Sequence, residues 1–369
     1  MDGYEPDMRR ALALAERGWG RVSPNPLVGA VVRSSDGEPV GEGWHEGPGT
    51  DHAEVMALRA AGRKARGATV VCTLEPCDRV GRTAPCTRAL IDAGVARVVV
   101  GATDPNLGDD APGVAELRRA GIEVVVGVLE DACRELNEAF EHHVRSGRPF
   151  VLLKEAASID GRTAATDGSS RWISSEPARA DVQRLRAWAD AILVGSGTVL
   201  RDDPSLTVRD PAFAAARPPL RVVVDSTGRL PVDRAVFDGS APTLIATTDR
   251  APEPTVRAWQ RAGAEVAVCD RDDEERVSLP ALVDTLGKRD VQGLLVEGGA
   301  TLAWSLLRDG LGDRIVLYLA SKVIGGTAAG GVVGGEGFAP VNTALPVTFR
   351  RIERLGDDLK VEADVHRHR

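Results

Sequence analysis

The chain has 369 residues, 43% hydrophobic and 27% charged, which is enough for two domains with cores of their own. Its net charge of −8 argues against a broad nucleic-acid surface, which needs clustered basic residues facing phosphates. Single arginines can still hold one phosphate in an acidic protein. No apolar run approaches the length of a membrane span and the first residues, MDGYEPDMRR, lack a signal-peptide core, so a cytoplasmic protein is expected.

Residues 7–17 place Met8, Ala11, Leu12 and Ala15 on one helical face. Strands are expected at 28–32 and 40–44, then a helix over 52–62. Further strands at 69–74, 97–101 and 123–128 alternate with helical stretches near 85–93, 113–120 and 130–145. Strands this rich in valine, set between helices, indicate a sheet covered on both faces. Gly and Pro punctuate the segment 146–149, after which FVLLK restarts the strand signal. We therefore expect domains at 1–147 and 148–369.

The second segment again alternates. Strands are expected near 150–155, 190–195, 220–225, 243–247, 264–268, 292–296 and 313–319, with helices at 176–188, 253–262, 278–288 and 299–309. Ser175 followed by Pro177 makes a good helix start. No repeat of fixed period relates the halves, so the chain reads as two different α/β domains.

The five cysteines are odd in number and unevenly spaced, which suits metal binding or burial better than a disulfide framework. Residues 52–54 read His-Ala-Glu and 75–77 read Glu-Pro-Cys; Cys86 follows after eight more residues, itself preceded by Pro85. One His and two thiolates leave a fourth zinc position open for water, whose pKa the metal lowers. Glu54, two residues from His52, is placed to shuttle protons. The related deaminase signature is H-x-E with P-C-x-x-C; here the second cysteine lies much further on. A closed structural zinc site, or two buried cysteines without metal, is the alternative, but three good ligands and an adjacent acid fit an open catalytic site better. Cys72, Cys133 and Cys269 read as small core residues.

With these residues in view, the chain resembles the bifunctional deaminase–reductases of riboflavin biosynthesis, along essentially its whole length. The resemblance rests on PNPLVGAVV (24–32), GEGWH (41–45), HAEVMAL (52–58), LEPC (74–77) and GRTAPC (81–86) in the first domain. In the second it rests on SIDGRTA (158–164), SSRWISSEPAR (169–179), DAILVGSGTVLRDDPSLTVR (190–209) and LLVEGGATL (294–302). It implies a cytidine-deaminase-like α/β/α domain followed by a dihydrofolate-reductase-like α/β domain. It also implies two steps on one phosphorylated pyrimidine: zinc-dependent hydrolysis of a ring amino group, then NADPH-dependent reduction of the ribosyl side chain to ribityl.

By the same resemblance, His52, Cys77 and Cys86 are the ligands of one zinc per chain and Glu54 the shuttle. Asn25, His45 and Arg82 face the deaminase substrate; Arg79, standing where a histidine is usual, is expected to replace it as a phosphate ligand. Ala156, Trp172, Thr198, Asp202 and Gly299 contact NADP; Lys154, Ser170, Arg186, Leu206, Arg209 and Glu297 contact the reductase substrate. Arg186 and Arg209 suit a phosphate because guanidinium binds it bidentately. Neither nucleic acid nor membrane is an expected partner; a homo-oligomer is.

The chain also departs from the pattern. Asp78-Arg79-Val80 stands where serine and histidine are usual, Met56 where a second histidine is common, and NLGDDAPG (106–113) where another pattern follows DPN. Glu155 follows Lys154 where an apolar residue is usual. These changes leave open a related aminopyrimidine as substrate, and, as a reading of another class, a zinc-stabilised binding module.

Overall fold

The computed structural model describes residues 2–79, 84–108, 110–213, 217–327 and 329–366. The chain divides into two compact units, Met1–Gly147 and Arg148–Arg369. Among the described residues, no helix is long and apolar enough to cross a membrane.

The first unit runs α1 (Glu5–Ala15), β1 (Gly29–Arg33), β2 (Pro39–Trp44), α2 (Ala53–Ala61), β3 (Thr69–Leu74), α3 (Cys86–Ala93), β4 (Arg97–Ala102), α4 (Pro112–Arg119), β5 (Glu123–Val126), α5 (Glu130–Leu136) and α6 (Glu138–Ser146). The sheet order is β2-β1-β3-β4-β5. β1 pairs antiparallel with both β2 and β3, and β3, β4 and β5 are parallel. Strand alternation sends Val32, Val70, Cys72, Val98 and Val100 against α2, α3 and α4. It sends Val31, Val71 and Val99 against Met8, Ala11 and Leu14 of α1 and Cys133 of α5. The result is a three-layer α/β/α unit.

Helix α2 lies unusually close to β2. A Cβ at Gly41 or Gly43 would come within 2.2 Å of Ala57 O or 2.3 Å of Ala53 O. Only glycine permits that approach, and it fixes where α2 begins.

The helix expected over 130–145 breaks at Asn137. The buried Asn137 side chain accepts from Leu27 N at 2.7 Å through Oδ1 and donates to Leu27 O at 2.8 Å through Nδ2. The residue leaves the helical conformation (φ −111°, ψ 21°) and pins the turn before β1.

The second unit runs β6 (Phe150–Ser158), α7 (Glu176–Trp188), β7 (Ala191–Gly195), α8 (Ser196–Asp202), β8 (Leu220–Val224), β9 (Thr243–Thr247), α9 (Glu253–Arg261), β10 (Glu265–Val268), α10 (Leu279–Gly287), β11 (Gly293–Glu297), α11 (Ala300–Arg308), β12 (Arg314–Ala320), β13 (Val347–Leu355) and β14 (Asp358–Val365). Its sheet order is β10-β9-β8-β7-β11-β6-β12-β14-β13. The pairs from β10 to β12 are parallel, and β14 joins β12 and β13 antiparallel. One face packs under α10 and α11 through Leu282, Leu286, Leu302 and Leu306. The other packs under α7 and α9 through Val182, Leu185 and Trp259. Ser175 caps α7 as expected, its Oγ accepting from Ala178 N at 3.5 Å.

Three elements have no counterpart in the sequence expectations. The short α8 follows β7 directly, and the β13–β14 hairpin extends the sheet at one edge. Every residue from Val347 to Ile352 on β13 is exposed, so no buried face imposed a two-residue alternation on its sequence.

Candidate active sites

In the first unit, three donor atoms converge from three segments. His52 is the residue before the first turn of α2, with extended backbone (φ −72°, ψ 159°). Cys77 follows β3 through Glu75 and Pro76, and Cys86 opens α3 behind Pro85. His52 Nδ1 lies 3.1 Å from Cys86 Sγ and 3.6 Å from Cys77 Sγ. The donor atoms of all three residues lie within 4.8 Å of one another. A tetrahedral zinc, with Zn–S of about 2.3 Å and Zn–N of about 2.0 Å, separates sulfur and nitrogen by about 3.5 Å. Donor chemistry and spacing therefore both fit zinc with one position left open.

The two ends of the segment between the cysteines are tied together. Cys86 N donates to Cys77 Sγ at 3.4 Å, and Thr87 N donates to Cys77 O at 3.2 Å. Hydrogen bonding from Cys86, and then from His52, outweighs burial and pulls the Cys77 thiol down to about 4. The same thiol–thiol hydrogen bond, with burial, pushes Cys86 up.

Glu54 is buried in the first turn of α2, and desolvation pushes its carboxyl up to about 7. His45 is buried nearby, its ring 5.6 Å from that of His52 in an edge-on arrangement. Asn25 Nδ2 and His45 Nε2 are 2.9 Å apart, and His45 Nδ1 lies 3.3 Å from Asp51 O. Burial lowers the His45 pKa, so the imidazole favours its neutral form. Arg79 is mostly exposed and pairs with Asp78 at 3.8 Å. Arg82 and Val80 lie outside the described residues.

Glu75 has a role that its place in a Glu-Pro-Cys run does not signal. Its Oε1 accepts from Gly113 N at 2.9 Å and Val114 N at 3.2 Å at the start of α4, and its Oε2 from Asp104 N at 3.2 Å. It ties the segment carrying Cys77 to α4.

In the second unit, a cavity of about 1160 Å³ opens at the carboxyl ends of the parallel strands. Ala156, Trp172, Thr198, Asp202 and Gly299 all line it. So do Lys154, Ser170, Arg186, Arg209 and Glu297. Leu206 does not: it is 1% exposed in the core beneath, with φ at +51°. A substrate contact there could come only from its backbone.

Arg186 also differs from the expectation of a free phosphate ligand. Its Nε and Nη2 donate to Glu297 Oε1 and Oε2 at 2.6 and 2.8 Å, and Nη1 donates to Thr207 O at 3.1 Å. Burial would raise the Glu297 carboxyl, but the Arg186 charge and hydrogen bonds outweigh it and hold it below its ordinary value. Arg209 is exposed on the same cavity, with Nη1 3.0 Å from Ser205 Oγ, and is the freer cation. Trp172, 63% exposed, stacks under Arg179 at 4.6 Å, and Lys322 Nζ donates to its carbonyl at 2.8 Å.

Ser226, Thr227 and Arg229 also line the cavity just beyond β8, and Arg229 Nη2 donates to Ser196 Oγ at 2.6 Å. The sequence expectations passed over them. Their position after a parallel strand, in the run DSTGRL, is the signal that marks ligand-facing turns in such sheets.

Comparison with known proteins matches residues 2–102 to the cytidine and deoxycytidylate deaminase zinc-binding region and residues 149–361 to the RibD C-terminal domain. The riboflavin biosynthesis protein RibD of Escherichia coli (strain K12) is 42% identical over 362 residues, covering 95% of this chain and 96% of its own. The chain belongs to the RibD family. Two solved structures extend the likeness to the fold. Acinetobacter baumannii RibD, form 1, superposes with a TM-score of 0.88 at 35% identity, covering 99% of each chain. A diaminohydroxyphosphoribosylaminopyrimidine deaminase/5-amino-6-(5-phosphoribosylamino)uracil reductase from Thermotoga maritima superposes at 0.84 with 36% identity, covering 98% of this chain and 99% of its own. Membership in the RibD family makes this chain a two-activity enzyme, a deaminase with a zinc-binding domain joined to a reductase, and removes the binding-module reading.

Proposed function

We propose that residues 1–147 hydrolyse the ring amino group of 2,5-diamino-6-(5-phosphoribosylamino)pyrimidin-4-one. Residues 148–369 then reduce the ribosyl side chain of 5-amino-6-(5-phosphoribosylamino)uracil with NADPH. The observation that carries this reading is the convergence of His52, Cys77 and Cys86 beside the buried Glu54.

One zinc per chain would be held by His52 Nδ1 and the two thiolates. When bound, it supplies Lewis acidity that makes a water reactive near neutral pH. Glu54, with its carboxyl near 7, would serve as the proton carrier, holding a proton that the ring nitrogen and the leaving amine need. The Asn25–His45 pair offers the pyrimidine a neutral hydrogen-bonding edge. Glu75 holds the Cys77 segment in place.

In the second unit NADPH is the reductant. Arg186 fixes Glu297 in its charged form, so that Glu297 can accept hydrogen bonds from substrate hydroxyls. Arg209 is the residue best placed for the substrate phosphate. Lys154, on the neighbouring strand to Glu297, lies 5.9 Å from the Tyr318 ring and borders the same space. The cytoplasm, which keeps thiols reduced, suits the ligand set. We also propose a homo-oligomer, supported by Phe349 and Ile352 exposed on the edge strand β13.

The test is a two-step assay. Purified protein with one equivalent of zinc should release ammonia from the diaminopyrimidinone phosphate. It should oxidise NADPH only once deaminated product is present. NADPH oxidation on the undeaminated compound at an equal rate would refute the order, and absence of ammonia release would refute the deaminase assignment.

A further inference from the structure

Glu155 is the residue of the second unit that its sequence position explains least. It is 6% exposed, walls the large cavity, and its Oε1 is sealed from solvent with no hydrogen-bond partner among the described residues. Alternation along β6 separates it from Lys154. Lys154 faces Tyr318 and the α7 side. Glu155 follows Val151 and Leu153 to the face covered by α11. The register pairs Lys154 with Glu297, so the Gly298–Gly299 turn comes next beside Glu155. Burial pushes its carboxyl up to about 7, with Lys154 pulling it down and Glu297 pushing it up.

A buried polar atom without a partner is costly, and folded proteins keep few of them. At a cavity wall, a small turn of the carboxyl would bring this atom to a ligand group. The chemistry of that group is constrained. A carboxyl that ionises near neutrality repels phosphates, and arginines of the cavity such as Arg201, Arg229 and Arg276 serve those better. The partner is therefore a hydrogen-bond donor, an N–H or O–H. Glu155 lies beside the Gly298–Gly299 turn and one position before Ala156, whose side chain takes the other face; Gly299 and Ala156 are both expected to contact cofactor. On NADPH, the neutral donor beside the reacting carbon is the carboxamide.

We propose that Glu155 accepts the carboxamide N–H of the NADPH nicotinamide and so fixes the orientation of that ring in the cavity. The inference rests on the reading of this unit as the NADPH-dependent reductase. Nothing in the assigned contacts gives the side chain of Glu155 a role.

The experiment is equilibrium binding, by fluorescence, of NADPH and of its reduced 3-acetylpyridine analogue, in which a methyl replaces the amide nitrogen. Full-length wild type, E155L, E155A and E155Q are compared, with thermal melting as the check on folding. Loss of one such hydrogen bond should weaken NADPH binding about tenfold in E155L and E155A. E155Q, which keeps an acceptor oxygen, should stay within about threefold of wild type. The analogue should bind wild type and the truncated variants alike. Equal NADPH affinity in all four proteins overturns the proposal. So does equal weakening of NADPH and analogue, the mark of a merely structural residue. Wild type that fails to bind NADPH would overturn the reductase reading itself, a result distinct from either of these.

Discussion

Replacing Arg186 by Met tests what holds the reductase cavity in shape. The Arg186 and Glu297 side chains are each 10% exposed, and two charge-assisted hydrogen bonds of 2.6 and 2.8 Å join them. Methionine keeps much of the side-chain volume but leaves the Glu297 carboxylate buried without its cation. Breaking one partner of a buried pair costs about 3–5 kcal/mol, which for a domain of this size lowers Tm by roughly 6–20 °C. The sign of the pH dependence follows from Glu297. In the wild type its pKa is held down, so its contribution is present above its unfolded value and lost as pH falls. In Arg186→Met only the more distant charges of Lys154 and Arg209 still oppose burial, so the pKa should rise above the unfolded value and acid should relieve the strain. The deficit against wild type should therefore be larger at pH 8 than at pH 5.5, measured by urea denaturation. The double variant Arg186→Met/Glu297→Leu removes both charges and should recover most of the loss, although the reductase stays inactive. If the double variant is no more stable than the single one, an uncompensated carboxylate is not the cause and the reasoning fails.

Other expectations concern each domain. Glu54→Gln should lower ammonia release by roughly 10²–10⁴-fold while zinc content, measured by atomic absorption, stays at the wild-type level. Gly43→Ala should destabilise the first unit by about 1–3 kcal/mol or more, because its Cβ would meet Ala53 O at 2.3 Å. Displacing the start of α2 should also reduce zinc retention on dialysis. Glu155 binds its proton more tightly folded than unfolded, with a carboxyl near 7 against an ordinary 4.5. Its contribution to stability should fall as pH rises through that window, by roughly 3 kcal/mol. The stability gap in favour of Glu155→Leu should widen accordingly in melts taken from pH 4.5 to 7.5.

The strands of the parallel cores were legible because burial on both faces leaves unbroken runs such as TVVCTL and RVVVG. The convergence of His52, Cys77 and Cys86 was legible because zinc-ligand chemistry restricts both residue type and neighbourhood. Other features depended on partners far along the chain. Asn137 breaks a helix because Leu27, 110 positions away, offers its backbone. Arg186 looked like a phosphate ligand until Glu297, 111 positions on, claimed its guanidinium. Leu206 sits inside a matching motif, yet its side chain belongs to the core. The β13 strand is exposed along most of its length and leaves no periodic mark. Residues 196–202 make a segment of only seven residues, with Gly197 in its first turn, too short to stand out as a helix.

The backbone ties between Cys77 and the start of α3 bear on how this deaminase could be retargeted. They clamp the two ends of the intervening stretch independently of what lies between. For a clamped excursion of this kind, doubling its length costs only about 0.6 kcal/mol in closure entropy. The frame of candidate zinc ligands and the stretch between the two cysteines, proposed to meet the substrate, are thus separable targets. A library that varies length and sequence between the cysteines can explore new aminated heterocycles, while selection for zinc retention monitors the frame separately.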